Sequence, residues 1–312
     1  MPGAYAHITL VNQLRMPSQL EGIPGFVDDT ITPVLDYFKF CELGAVSPDY
    51  PYLGIGNRGA TQWADRMHYE NTGDMIKSGV EYIASMPNGE PKRKAFAWLL
   101  GYAAHVAADV TIHPIVELKV GPYAQNKKAH RVCEMNQDAH IFQRLNLGDI
   151  GLAEHLDSGI WGCCDIPGSG DLDAAIVDVW KAMLNECHPS AFRSCPPNLD
   201  AWHQGFRTVV DKLAEEGGSL FPFARHLAVN SGMTYPASDE IDQQYITLLN
   251  TPYPAHSMHY DEIFDRAIGN VKGIWSLIAR GVFQGDQTYA AAIGNWNLDT
   301  GRDNNGRLIF WS

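Results

Sequence analysis

Three side chains that can bind a metal ion recur at a fixed spacing in one apolar segment of the chain. His105, Asp109 and His113 follow one another at intervals of four residues. Four residues advance an α-helix by about 400°, so each step drifts only about 40° around the axis and all three side chains project to one side. A buried histidine or aspartate must be paired or metal-bound to offset its lost hydration. The segment is therefore typical of a helix that presents metal ligands.

A second segment, beginning seventeen residues after His113, repeats this arrangement. His130, Glu134 and Asp138 are again spaced by four residues. A single His-x-x-x-Asp pair is more often a surface ion pair or a hydrogen-bonded core histidine, but two such segments close together favour a metal site between adjacent helices. Imidazole and carboxylate ligands without thiolate favour a catalytic zinc ion over a structural one.

Three further candidate ligands lie upstream. Asp49 occupies a turn between Pro48 and Pro51, and such a stiff turn can hold a carboxylate in place. His68 follows nineteen residues later, and His7 lies near the N-terminus beside a short apolar run. None of the three would stand out alone, but together they enlarge the set of imidazole and carboxylate ligands.

The elements that must position these residues are predicted to be helices. Apolar residues follow the helical period over about six turns in the clearest case. Helices are predicted at 73–86, 93–113, 128–145, 172–187, 200–216, 239–250 and 260–283. Segments rich in Pro, Gly, Asn and Asp predict long loops at 16–30, 46–66, 157–171, 188–199 and 284–312. Strand alternation is nowhere sustained, so we expect an all-α fold. A single multi-helix domain would span residues 1–312 around a His/Asp/Glu metal cluster, with 284–312 as an irregular C-terminal tail packed on it.

The overall composition narrows the function classes. The 312 residues carry 23 basic and 36 acidic side chains, a net charge of −13, and no block of Lys or Arg. Because duplex nucleic acids are bound through their phosphates, a general DNA- or RNA-coating function is disfavoured. Six cysteines are too few and too unevenly spaced for a disulfide scaffold. The N-terminus shows no secretory signal, and the longest apolar run, residues 95–104, is too short to span a bilayer. We expect a cytoplasmic protein without a transmembrane segment.

The ordered set of ligand types resembles the zinc-dependent phospholipase C family. That family is related to the single-strand-specific zinc nucleases and to the catalytic domain of glycosylphosphatidylinositol-specific phospholipase D. The matching pieces cover about residues 1–140 and occur in the family's order. They are an early histidine (His7), an SPD-type loop (Asp49), a following histidine (His68), GYxxHxxxDxxxHP (Gly101 to Pro114) and HxxxExxxD (His130 to Asp138).

The resemblance implies an all-α fold around two to three zinc ions and assigns their ligands. One ion would be held by Asp49, His68, His105 and Asp109, and a second by His113, His130 and Glu134. A third would be held by His7, the N-terminal amine and carbonyl, and Asp109 as a bridge. Removal of Met1 would leave Pro2 as the terminus, five residues before His7, a spacing that suits this chelate.

The resemblance also implies hydrolysis of a phosphodiester by a metal-bound hydroxide, with Asp49 as the base or orienting group. We therefore expect a metal-dependent hydrolase that acts on a phosphoester, with phospholipid as one such substrate. Two alternatives remain open at this point. One is a single-strand nuclease or nucleotidase on the same metal cluster, and the other is a non-catalytic, metal-stabilised scaffold or partner-binding protein.

Other polar residues receive a simpler interpretation. Asp138, one turn beyond Glu134, is predicted to accept a hydrogen bond from a ligating histidine. His256 and His259 are interpreted as part of a solvated loop.

Overall fold

A computed structural model of the protein describes residues 3–53, 59–147, 159–166, 169–205 and 235–311. Within these residues the fold is all-α, as predicted. The helices with both ends among these residues are α1 (Ala4–Leu14), α2 (Pro17–Glu21), α3 (Asp28–Asp36), α4 (Phe38–Val46), α5 (Ala60–Tyr69), α6 (Thr72–Ser85), α7 (Glu90–Val120), α8 (Tyr123–Phe142), α9 (Ala174–Cys187), α10 (Pro189–Ser194), α11 (Tyr260–Gln284) and α12 (Thr288–Ala292). Short 3-10 turns cover Ser47–Leu53, Gln143–Leu145 and Gln243–Tyr245. The strands described are two residues long: β1 (Leu249–Asn250) pairs antiparallel with β2 (Ser257–Met258), and β3 (Trp296–Asn297) with β4 (Arg302–Asp303).

Helix α7 is the central element of the fold and packs chiefly against α4 and α11. Every residue from 95 to 116 is buried, and Gly121, with a positive φ of 84°, follows the last turn. The predicted helix 93–113 is therefore correct in position but too short. Pro114 does not end it, because the helices packed around this segment compensate for the one backbone hydrogen bond that proline removes.

By length and composition α7 is a candidate membrane-spanning helix. An 18-residue window within it has a mean hydropathy of 1.3. That window is completely buried against the rest of the fold, as in the core helix of a globular domain. The apolar run 95–104 thus belongs to a longer helix than the sequence indicated, and packing accounts for its apolar character.

The buried apolar side chains of the described residues form one continuous core. The C-terminal segment joins it, since the indole N–H of Trp311 donates to the carbonyl oxygen of Thr111 on α7 (2.7 Å). Arg266 of α11 donates to the carbonyl oxygen of Phe310 (2.6 Å). Residues 284–311 also include α12 and the β3–β4 hairpin, so they are less irregular than predicted. All six cysteines are free thiols.

Some helices lack the period that sequence patterns detect. Nine of the eleven residues of α1 are buried, and a helix that is buried on all sides has no polar face. The predicted loops 16–30 and 188–199 contain α2 and α10, and the predicted loop 46–66 overlaps the first seven residues of α5; these three helices are ten residues or shorter.

The predicted helix 239–250 is wrong. Its apolar residues Ile246 and Leu249 are both buried, but a 3-10 turn and strand β1 bury them instead of a helix. Residues 206–216 of the predicted helix 200–216 lie outside the described residues, and residues 200–205 are helical.

Candidate metal centre

Two helices that lie backbone to backbone, α4 and α7, set the frame of the site. Gly44 of α4 and Gly101 of α7 face each other, and a Cβ atom at either position would overlap the backbone of the opposite helix. This contact brings the end of α4 to His105, whose Nδ1 lies 2.9 Å from the carbonyl oxygen of Ala45. Because a carbonyl oxygen can only accept, Nδ1 carries the proton and donates it.

The turn after α4 carries Asp49 to the same place. Asp49 Oδ1 lies 3.3 Å from Nε2 of His68, which projects from α5. His68 Nδ1 donates to the carbonyl oxygen of Ala64 one turn earlier (2.7 Å). Ligand atoms of Asp49, His68 and His105 all lie within 4.8 Å of one another, and the three side chains are buried.

Helix α1 contributes the next histidine. His7 Nε2 lies 3.2 Å from Asp109 Oδ1, and His105 Nε2 lies 3.4 Å from Asp109 Oδ2. The rings of His7 and His105 stack with their centroids 4.0 Å apart. The structure thus brings together five predicted ligands, here called the five-ligand cluster: His7, Asp49, His68, His105 and Asp109.

The five-ligand cluster fits a zinc ion. Five of the atoms in these short approaches make no hydrogen bond: His7 Nε2, Asp49 Oδ1, His105 Nε2 and both carboxylate oxygens of Asp109. Since Nδ1 of His68 and of His105 is protonated, the neutral ring presents a lone pair at Nε2 to a carboxylate oxygen, and two electron-rich atoms repel unless a cation or proton lies between them. Ligand atoms on a tetrahedral zinc ion, each about 2.0–2.1 Å from it, lie about 3.3 Å apart. The observed separations of 3.2–3.4 Å agree with that value.

The charges in the cluster are strongly coupled. Burial raises the pKa of Asp109, but His105 and then His7 outweigh it and hold that pKa well below its usual range. Burial lowers the pKa of His105, but Asp109 and then Asp49 outweigh it, so this pKa is raised. For His7 burial dominates, and the pKa is lowered. Binding of a metal ion between His105 and Asp109 therefore competes with binding of a proton at the same place.

The other three predicted ligands are arranged more loosely. His130 and Glu134, here called the α8 pair, lie one turn apart on α8 with Nδ1 and Oε1 separated by 3.9 Å. His130 Nε2 lies 2.6 Å from the carbonyl oxygen of Gly121. His113 faces the C-terminal segment, where its Nδ1 lies 3.7 Å from Asp299 Oδ1. Among the described residues these three do not form a group with ligand atoms within 4.8 Å of one another. Their assignment to a second ion stays a prediction.

Asp138 has a different function from the one predicted. Its Oδ1 accepts the backbone N–H of Ala6 (3.0 Å) and its Oδ2 accepts the hydroxyl of Tyr235 (3.0 Å), whereas the expected contact was to a ligating histidine. The carboxylate therefore fixes the start of α1, one residue before His7. Burial raises the pKa of Asp138 to about 7. Residues 1 and 2 lie outside the described residues, so the N-terminal chelate stays a prediction.

Hydrogen bonds on both sides anchor the turn that carries Asp49. The Tyr50 hydroxyl lies 2.8 Å from His203 Nδ1, and the Tyr52 hydroxyl donates to Asp65 Oδ1 (2.8 Å). Burial lowers the pKa of His203 to about 4, so its ring is neutral at pH 7. The turn is held by residues distant in sequence, which no local pattern could indicate.

The structure also contains a third group of ligand types, on the surface. His140, His259 and Asp261 have ligand atoms within 4.8 Å of one another. His259 is the N-cap of α11 and accepts the N–H of Asp261, and Arg144 donates to the carboxylate of Asp261 (2.8 Å). A helix cap and an ion pair account for this group. His259 is thus a capping residue, whereas His256 is exposed beside β2, as predicted.

The fold and the site define a class: an all-α protein whose packed helices enclose a histidine–carboxylate group fitted to zinc. The family model of zinc-dependent phospholipase C matches residues 6–190, more than half of the chain. The chain belongs to that family. No curated protein and no solved structure matches it. The matched range contains all eight predicted ligands, whereas Asp299 lies beyond it.

Proposed function

We propose that this protein is a zinc-dependent phosphodiesterase that hydrolyses phospholipids in the manner of a phospholipase C. The observation that carries the proposal is the five-ligand cluster, in which buried imidazole and carboxylate groups meet at 3.2–3.4 Å without hydrogen-bond alignment. A buried polar atom without a partner costs about 1–3 kcal/mol, so such a group is retained when a cation completes it. Membership of the family supports the class of reaction.

Each residue of the cluster has a distinct task in this reaction. Asp109 faces a different histidine with each oxygen, so it can bridge two cations. Backbone carbonyls fix the rings of His68 and His105 with Nε2 directed inward. Bound zinc supplies a Lewis acid for the phosphoryl oxygens and a coordinated water of lowered pKa. Asp49 orients the attacking water and accepts its proton.

A polar cleft beside the centre would receive the substrate. It has a volume of ≈ 600 Å³ and lies between the end of α5 and the β3–β4 hairpin. Tyr69 lines it directly after the cluster residue His68, and Arg302 adds a positive charge. Glu70 and Asp303 also line the cleft, so Arg302 together with cations bound at the five-ligand cluster would supply the positive charge that attracts the anionic phosphoryl group of a phosphodiester.

The test measures zinc content and hydrolysis on the same protein, purified without chelator. Zinc is counted by inductively coupled plasma mass spectrometry. Hydrolysis is followed on bis(p-nitrophenyl) phosphate, on phosphatidylcholine vesicles and on single-stranded DNA. The informative variant is Asp49→Asn. Its matched control is Asp65→Asn, because Asp65 of α5 lies outside the cluster and the amide oxygen of asparagine can still accept the hydrogen bond from the Tyr52 hydroxyl.

We expect two to three zinc ions per chain and cleavage of the phospholipid. Asp49→Asn should lower kcat by about 10²–10³-fold while zinc content falls much less, and Asp65→Asn should keep both. Equal losses of zinc and turnover would make Asp49 primarily a ligand. Cleavage of single-stranded DNA alone would favour the nuclease. Bound zinc with no hydrolysis of any phosphodiester would leave the metal-stabilised scaffold.

A further inference from the structure

The C-terminal hairpin places a carboxylate against one of the predicted zinc ligands. Asp299 lies in the turn between β3 and β4, and its Oδ1 is 3.7 Å from His113 Nδ1. The His113 side chain is buried, and that of Asp299 is only 13% exposed. The family match ends at residue 190, so it does not extend to this carboxylate.

Hydrogen bonds fix the Asp299 carboxylate where it stands. The hydroxyl of Tyr69 donates to Asp299 Oδ2 (2.7 Å), and the Asn297 side chain accepts the backbone N–H of Asp299 (3.0 Å). The preceding residue, Leu298, donates its N–H to the carbonyl oxygen of His68 (3.0 Å). The hairpin is thus bonded directly to a residue of the five-ligand cluster, and Oδ1 is left facing His113.

The hairpin also lies directly on the helical turn that carries His113. Gly301 has a positive φ of 66°, and a Cβ atom there would collide with Pro114 and with the carbonyl oxygen of Val110. A glycine is therefore required for the backbone of the hairpin to approach α7 this closely. Three residues upstream of Pro114, the carbonyl oxygen of Thr111 is bonded to Trp311.

Building on the zinc centre proposed above, we propose that Asp299 is a positioning residue for His113. Its Oδ1 accepts the Nδ1 proton of His113, which fixes the tautomer and directs Nε2 toward the metal ion. A carboxylate behind a histidine ligand orients the ring and makes it a stronger ligand, and its loss weakens metal binding about 10–100-fold. The two atoms are 3.7 Å apart, and coordination of a metal ion through Nε2 is expected to shorten this distance to hydrogen-bond range.

The experiment compares Asp299→Asn with Asp303→Asn. Asp303 is a matched control because it lies four residues further along the same hairpin and its carboxylate binds Arg307 (2.7 Å). Zinc affinity is measured by competition with a chromophoric chelator, without any phosphoester present. Long-range ¹H–¹⁵N spectra of the zinc-loaded proteins report which ring nitrogen of His113 carries the proton. The melting temperature confirms that each variant is folded.

In Asp299→Asn we expect one zinc ion to bind about 10–100-fold more weakly, with the Nδ1 proton signal of His113 shifted or lost. Asp303→Asn should match the wild type in both. Tyr69→Phe removes the hydrogen bond to Asp299 Oδ2 but keeps the carboxylate, so it should lower the affinity for the same zinc ion by a smaller factor. Unchanged zinc affinity in folded Asp299→Asn would overturn the proposal, as would a wild-type spectrum with Nδ1 coordinated.

These outcomes are separable from those of the proposed function. If Asp299→Asn lowers the zinc affinity but the wild-type protein hydrolyses no phosphodiester, the positioning residue is supported and the phosphodiesterase is contradicted. If Asp299→Asn changes neither the rate of phosphodiester hydrolysis nor the zinc affinity, the phosphodiesterase is supported and the positioning residue is contradicted.

Discussion

The five-ligand cluster and the α8 pair differ in what holds their side chains. Ligands of the cluster come from α1, the turn after α4, α5 and α7, and they meet with N–O separations of 3.2–3.4 Å. The α8 pair lies on one helix, 3.9 Å apart, beyond Asn126, where the backbone departs from helical geometry (φ −127°). Convergence of several packed elements fixes ligand spacing through the fold, whereas an i, i+4 pair depends on one local stretch of helix. We therefore expect the cluster to bind zinc more tightly than the α8 pair.

The strongest test of this contrast removes the shared carboxylate of the cluster. Asp109→Asn should lose the zinc ions of the cluster and lower kcat/KM by on the order of 10³-fold, because each oxygen of Asp109 faces a different histidine. Zinc content and phosphodiester hydrolysis measure this. A variant that keeps full zinc content and activity would show that the five ligands do not act as one centre.

The matching change in the α8 pair should have a narrower effect. Glu134→Gln should release one zinc ion and leave the cluster loaded, because no ligand atom of Glu134 lies within the five-ligand group. The protein is titrated with a chelator, and zinc release is followed through the melting temperature. Compared with the wild type, the release step of the weakly bound zinc ion should be missing and the step of the tightly bound zinc should be unchanged. Loss of all zinc would mean that the two regions bind cooperatively, and the contrast between them would not hold.

A third test concerns the carboxylate that joins the two regions, since Asp138 of α8 fixes α1 beside His7. Its folded pKa of about 7 exceeds the unfolded value of 3.8, so the folded state holds the proton more tightly. Stability should therefore fall as pH rises from about 4 to about 7, by up to about 1.4 kcal/mol per pH unit, and level off above. Asp138→Asn should remove this slope. Urea unfolding of both proteins at pH 4.5, 6 and 8 gives the difference, and parallel pH profiles would contradict the assignment.

The smallest effect is expected at the anchor of the Asp49 turn. Tyr50→Phe removes one buried hydrogen bond, to His203, and should lower the free energy of unfolding by about 1–2 kcal/mol. Zinc content should stay at the wild-type value, because Ser47 and Tyr52 still hold the turn. Thermal unfolding and metal analysis measure the two quantities. A large loss of zinc would show that this one bond sets the position of Asp49.

The sequence predicted what depends on spacing along a helix. The i, i+4 series on α7 and α8 and the all-α class follow from the 3.6-residue period, and both are found in the structure. The contribution of Asp299 could not be predicted, because an aspartate in a segment rich in Asn, Asp and Gly resembles any turn residue. The tertiary partner of Asp138 was equally hidden, since Ala6 lies 132 residues away. The cytoplasmic location and the number of zinc ions stay predictions.

The contact between Gly44 and Gly101 has a consequence for how this centre tolerates mutation. Where two helices touch through their backbones, the distance between them is set by main-chain atoms and does not follow the size of the surrounding side chains. Substitutions in the nearby core should then lower stability while the Asp49 turn and His105 keep their separation. Replacement of either glycine should do the opposite, because it pushes the two halves of the ligand set apart before the rest of the core is disturbed. Related chains with glycine at both positions should therefore have kept the separation between the Asp49 turn and His105. Related chains that have lost either glycine should have a changed separation.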